Sequence, residues 1–418
     1  LDISVLRPKG SQVNNSAKTT SGAVSFMDLF SANTGLIGQY GRRGATIITI
    51  SCDHPDILDF IRIKGGKDKS KVQYANISVK FTNKFMDQLL NNPDSDWEMT
   101  FTTKSGDKII KKEKISIIWD LFVESNYNGA EPGCLFWDRA LTNYASIFEE
   151  TKPKGVNPCG EQTLADWSSC NLGSINLSKL VKNPFTDKAE FDFESFNKAI
   201  YMGIRFLSNI NLLNIDRQPL EQLKNAIRIE NKVGLGGMGL ADMLIKLNLK
   251  YGSDKAIDFI DKLHKYMKES AILSSISLAK EFRMCNILEQ YKHTEKWNEF
   301  VNHPYFSDLT KEQKEDLDKY GMFNIGLLTY APTGTISIIE QCSSGIEPIF
   351  ALSYDRKVNQ AGKLGKEEIY TVYHPLVKEY NSIYGENAHL KNPNFITSEQ
   401  IDWRMRVKIQ SAAQKHIS

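Results

Sequence analysis

The chain has 418 residues and a formal net charge of +2, with 41% hydrophobic and 24% charged residues, an ordinary globular balance with ample material for a core. That charge gives no electrostatic reason for a nucleic-acid or membrane partner, and no apolar run approaches the roughly 20 residues of a membrane helix. Six irregularly spaced cysteines do not form an extracellular disulfide framework and no signal-peptide pattern is visible, so the cytoplasm is the expected compartment.

The chain opens LDISVLRPKG without a methionine and stops at QSAAQKHIS inside a helical pattern. It reads as a trimmed or processed chain, or as an internal piece of a longer polypeptide. In chain order, ATIITISC (45–52) and ANISVKF (75–81) are strands by their density of Ile, Val and Thr. Residues 97–115 form a hairpin turning at Ser105-Gly106-Asp107, and 115–128 is helical by period. Two longer helices follow at 191–213 and 253–283, the second with Ser253-Asp254 as its N-cap. FNIGLLTYAP (323–332) returns to strand and breaks at proline. Strands alternating with helices, with no repeat or linker, predict a single α/β domain over 1–418.

Residues 157–171 read NPCGEQTLADWSSCN. Ten residues separate Cys159 from Cys170, which excludes the C-x2–4-C spacing of structural zinc, and no metal site is expected. Free cysteine is often a small buried hydrophobe. Pro158 and Gly160, however, put Cys159 on a turn, with Asn157 and Glu161 supplying an amide and a carboxylate within two residues of the sulfur. A thiol, a base and an amide donor at one point suit chemistry on a hydroxylated substrate.

In APTGTISIIEQCSSGIEP (331–348), a strand ends at Pro332, and Thr333, Gly334, Thr335 and Ser337 follow where a helix should begin. Backbone N–H groups and hydroxyls there make a phosphate cradle, or a plain N-cap; the G-K-[ST] ending of a P-loop is absent. GLGGMG (234–239) matches a dinucleotide-binding glycine pattern, but the polar stretch before it is no buried strand. It reads as a tight loop-to-helix packing element.

NPCGEQ…SCNLGSINL (157–177), APTGTIS…SSGIEPIFAL (331–352), VGLGGMGLADML (233–244), RRGATIITISCDHPDILDFI (42–61) and YNGAEPGCLFWDRA (127–140) together resemble ribonucleotide reductase from end to end. The pattern is most like the class II, adenosylcobalamin-dependent branch. The resemblance implies a ten-stranded α/β barrel of two five-stranded halves with a central finger loop, incomplete at both ends in this chain. It implies radical reduction of ribonucleoside di- or triphosphates, with Cys159 as the thiyl site and Cys170 as one of a redox pair. Glu161 would take the 3′-hydroxyl proton, Asn157 would hold the ribose hydroxyls, and Thr333, Gly334, Thr335 and Ser337 would grip the substrate phosphates.

Arg7 and Lys9 would serve a deoxynucleotide effector, and IKGGKDKSKVQYANIS (63–78), with Lys64, Gly65, Gly66 and Lys67, falls where the family has its specificity loop. The implied partners are a thioredoxin or glutaredoxin-type reductant, a second copy in a homodimer, and a complementing polypeptide carrying the early strands, the last strands and the partner of Cys170. Cys52, Cys134, Cys285 and Cys342 read as buried structural thiols. A class I large subunit, and a non-catalytic nucleotide-binding fragment, remain the alternatives.

Overall fold

In an extended run such as IITIS, Ile48 and Ile50 share one face and Ile47, Thr49 and Ser51 the other, and so β-branched a segment folds best where both faces are covered. The computed structural model describes residues 1–13, 16–39, 42–65, 71–359 and 367–417. They fall into two compact units, Leu1–Asp166 and Trp167–Ser418.

In the first unit that run is strand β1 (Ile47–Ser51), buried over its first four residues. Helix α1 (Ile57–Gly65) connects it to the parallel strand β2 (Asn76–Phe81), with Ile48 opposite Ile77 and Ile50 opposite Val79. Helix α2 (Asn83–Asn91) starts at Thr82, whose side chain accepts from the Phe85 N–H. The expected hairpin is β3 (Asp96–Thr102) with β4 (Lys108–Lys114), antiparallel. Helix α3 (Ile115–Gly129) packs against α1 and leads to β5 (Gly133–Phe136), parallel to β2. The sheet order is β1-β2-β5. Beneath it Phe81, Phe85, Trp97 and Phe122 meet with ring centroids 4.9 to 5.1 Å apart, aromatic packing that fixes the sheet against α2 and α3. A two-residue ladder, β6 (Gly155–Val156) with β7 (Thr163–Leu164), closes the unit.

In the second unit, β8 (Asn171–Asn176) pairs in parallel with β9 (Val233–Met238) over six residues. Helix α4 (Phe193–Asn214) covers both strands and packs on α6 (Asp254–Glu281). Helix α6 starts at Ser253, as its sequence predicts, with the Ser253 side chain accepting from Ala256 N–H. The short α5 (Leu240–Lys246) follows β9 directly.

Three expectations change. GLGGMG is no loop: its first five residues lie in β9, a fully buried strand, because its missing side chains let neighbouring segments approach, and Gly239 is the N-cap of α5. FNIGLLTYAP is extended but not a regular strand. Leu328 makes one parallel bridge to Leu235, and the N–H groups of Val233 and Leu235 donate to Gly326 and Leu327. The ten-stranded barrel of two five-stranded halves is overturned. Closure requires every strand to have a neighbour on both sides. Here β1 and β5 flank β2 and end a three-stranded sheet, every other sheet among the described residues is two-stranded, and none is closed.

Candidate active site

The β6–β7 ladder presents residues 157–162 as a loop with Cys159 near its tip. Asn157, Pro158, Cys159 and Gly160 form a turn closed by the Gly160 N–H donating to the Asn157 carbonyl (2.9 Å). Asn, Pro and Gly stand at the first, second and fourth positions, where a type I turn favours them. Gly160 has φ +82° with open space around it, so it is needed for the backbone and not for room. The Asn157 side-chain oxygen accepts from Gln162 N–H (2.9 Å), which braces the loop and leaves Nδ2 as the group able to donate outward.

Strand β2 holds this hairpin from below. Asn76 Nδ2 donates to the Pro158 carbonyl (2.8 Å). Lys80 Nζ donates to the Lys154 carbonyl (2.8 Å), pairs with Asp2 (2.9 Å) and lies 3.7 Å from the centroid of the Trp137 ring. Lys80 is 4% exposed, and burial lowers its pKa against the pull of Asp2. Cys159 itself is exposed, yet partial desolvation first and the Glu161 charge second push its thiol up. Both effects keep the sulfur protonated near neutrality.

Cys170 belongs to the second unit and is half-buried at the entry of β8. Its thiol leans toward the Asn171 carbonyl (3.9 Å). Two residues earlier, Ser168 hydrogen-bonds the buried carboxylate of Glu230, which ties the approach to β8 to the end of the helix Glu221–Glu230. Of the other thiols, Cys52, Cys285 and Cys342 are buried, and desolvation pushes each up to about 12. Cys134 is exposed, contrary to expectation, because its side chain falls on an exposed position of the short strand β5.

The cradle segment forms α7 (Gly334–Ile339), with Thr333 at its N-cap in a left-handed conformation (φ +52°) and no side-chain cap. Two of its hydroxyls are committed inward: Thr333 Oγ1 accepts from Gly345 N–H (3.0 Å), and Ser337 Oγ meets Ser344 Oγ (2.9 Å). They shape the turn against SSGIEP. Gly334 and Thr335 are exposed, unlike the buried Thr333 and Ser337.

Among the residues expected to serve an effector, Arg7 Nη1 donates to the Gln12 carbonyl (3.1 Å) and Lys9 is exposed. The backbone N–H of Lys9 donates to Asp56 (3.0 Å), a buried carboxylate that also takes the Ala23 N–H (3.0 Å). Lys64 is engaged by Glu131 and by the Ala75 carbonyl (2.7 Å). Gly65 ends α1, and Gly66 and Lys67 lie outside the described residues. No cluster of three or more His, Cys, Asp or Glu side chains among the described residues has the arrangement of a metal site. No helix among them is long and apolar enough to cross a membrane.

The family model described as ribonucleotide reductase, barrel domain, matches residues 1–418. The chain belongs to the ribonucleotide reductase family. It is 34% identical over 434 residues to the vitamin B12-dependent ribonucleoside-diphosphate reductase of Thermoplasma acidophilum, covering 99% of this chain and 51% of that relative. The enzyme of the same description from Mycobacterium tuberculosis is 29% identical, over 85% of this chain and 46% of its own length. The ribonucleoside-diphosphate reductase subunit alpha of Chlamydia pneumoniae is 27% identical, over 84% and 37%. The chain thus spans about half the length of the curated relatives it matches.

Several residues that shape this candidate site give no signal in the sequence. Lys80 stands in a strand where alternation leaves a lysine looking solvated, and its partners Asp2 and Lys154 are more than seventy positions away. Asp56 is legible only as one letter of HPDI (54–57). The glycines of β9 were visible, but not the side chains that need their space.

Proposed function

We propose that this chain carries the radical chemistry that reduces ribonucleotides to 2′-deoxyribonucleotides, in the cobalamin-dependent manner for which its Thermoplasma and Mycobacterium relatives are named. The observation that carries the reading is the braced turn bringing the Asn157 amide, the Cys159 thiol and the Glu161 carboxylate to one loop. A hydrogen atom, and not a proton, has to leave Cys159, so an exposed thiol held protonated suits adenosylcobalamin as the radical source, and Pro158, Cys159 and Gly160 would be the residues that meet it. When bound, that cofactor supplies the one-electron oxidising equivalent through its weak cobalt–carbon bond.

Cys159, as the thiyl, takes the C3′ hydrogen atom. Glu161 accepts the 3′-hydroxyl proton, and Asn157 Nδ2 donates to the ribose hydroxyls. The 2′-hydroxyl leaves as water; the Cys170 thiol and a second thiol become a disulfide as the ribose gains two electrons, and Cys159 returns its hydrogen atom to C3′. A thioredoxin or glutaredoxin-type dithiol then reduces the disulfide. Gly334 and Thr335 meet the substrate phosphates on a turn shaped by Thr333 and Ser337. Arg7 and Lys9 serve the effector phosphates. Lys64 anchors the start of the specificity loop, its ammonium already being bound within the protein.

The test is tritium release to water from 5′-tritiated adenosylcobalamin by the full-length protein with a thiol and a deoxynucleotide effector. Release that disappears in Cys159→Ser is expected. A folded, effector-binding protein that releases none would overturn the cobalamin reading.

A further inference from the structure

The glycine pattern of β9 is left without a role once a dinucleotide site is set aside, and its surroundings supply one. Strand β8 enters the sheet with Leu172 opposite Gly234. Cys170, the residue just before β8, turns its sulfur to the same side as Leu172, both lying over Gly234. A Cβ built on Gly234 would stand 2.8 Å from Cys170 Sγ and 2.9 Å from Leu172 Cδ2, and would also collide with the Thr329 methyl. Three side chains therefore converge where β9 has none. Thr329 is fully buried (0% exposed) and is held in place by its N–H donating to the Leu235 carbonyl (3.1 Å). Gly234 does not have a positive φ, so its backbone accepts any residue and only the space is special.

We propose that Gly234 and Thr329 are positioning residues for the Cys170 thiol, the glycine leaving the recess in which the sulfur sits and the threonine walling it. The proposal rests on the reading of Cys170 as a redox thiol. Disulfide exchange needs the attacking and attacked sulfurs in a narrow geometry. A sulfur free to swing between rotamers would meet a partner thiol less often than one held in a recess.

The experiment compares alkylation of Cys170 with that of Cys159 in the folded full-length protein, read by mass spectrometry, in Gly234→Ala, Thr329→Ser and the double variant. Gly173→Ala is the control, since its added Cβ meets only Leu207 and Leu235 side-chain carbons at 3.3 Å or more. In Gly234→Ala the Cys170 rate rises relative to Cys159, on the order of threefold for a displaced rotamer, and the thiol-dependent reduction slows. Tritium exchange, which needs Cys159 and not Cys170, is retained. If the glycine served only to seat the Thr329 methyl, Thr329→Ser in the double variant would restore the Cys170 rate; a rate still raised there supports thiol positioning.

An unchanged rate in Gly234→Ala, or its restoration by Thr329→Ser, overturns the proposal. Should Gly234→Ala not fold, Thr329→Ser alone decides: removing the methyl frees the sulfur and raises its labelling, and no change overturns the assignment. The underlying reading has its own readout: after turnover without reductant and removal of substrate, Cys170 of the unaltered protein stays blocked to alkylation and is freed by dithiothreitol if it forms a disulfide, and an unblocked Cys170 would overturn that reading.

Discussion

A hydrogen atom leaves sulfur only from a thiol, so the protonation state of Cys159 decides what its loop can do. Desolvation and the neighbouring Glu161 charge both disfavour the thiolate, the reverse of the electropositive setting that activates a nucleophilic cysteine. The pH profile of Cys159 alkylation therefore has its midpoint above the ordinary thiol value of about 8.5. Glu161→Gln removes the second cause and shifts the midpoint down toward that value without reaching it. A midpoint at or below the ordinary value in the unaltered protein would mean that the loop stabilises a thiolate, and nucleophilic chemistry would replace the radical reading.

At the scale of elements, the hairpin β6–β7 has two residues in each strand, too little to hold a reactive sulfur in place by itself. Its rigidity is borrowed from β2 through Asn76 and Lys80. Lys80→Met keeps most of the stem but leaves the Lys154 carbonyl and Asp2 without their partner, a loss of about 2 kcal/mol. The expected result is a lower urea midpoint with faster amide hydrogen exchange over 155–164. Unchanged exchange there would show that the hairpin does not depend on this contact.

This level also marks what was legible. The helices 115–128, 191–213 and 253–283 and the 97–115 hairpin emerge where expected, within a residue or two at most boundaries, because period, capping and turn chemistry are local. The turn at Cys159 was legible for the same reason. Strand β9 was not. Glycine weakens a strand unless another segment fills the vacated space, and here the fillers, Cys170, Leu172 and Thr329, come from positions distant in sequence. The closed barrel came from resemblance, and no local pattern carried it.

Across the whole molecule, burial leaves His54, His264, His374 and His416 with pKa values below the ordinary histidine range, desolvation being the largest cause in each. His264 is the extreme case, 0% exposed and lowered to about 4. The Ile260 carbonyl only accepts, so Nδ1 carries the proton and Nε2 accepts from the Tyr330 hydroxyl, each at 2.7 Å. Protonating Nε2 would break the second bond. A histidine neutral when folded takes up its proton only on unfolding once pH falls below about 6.5. The histidine contribution is therefore flat above pH 7 and declines as pH drops toward 4, His264 alone accounting for about 2 kcal/mol by pH 5. Asp192 and Asp308, both held at about 2, add little between pH 7 and pH 5 and a loss of the same sign only as pH nears 4, where the unfolded carboxyls begin to protonate. Glu230, whose carboxyl burial pushes up, opposes it. Urea unfolding at pH 7 and pH 5 should show the loss, and His264→Gln should shrink the difference between the two pH values even if it lowers stability at both. An equal difference in parent and variant would show that the acid sensitivity lies elsewhere than in this buried imidazole.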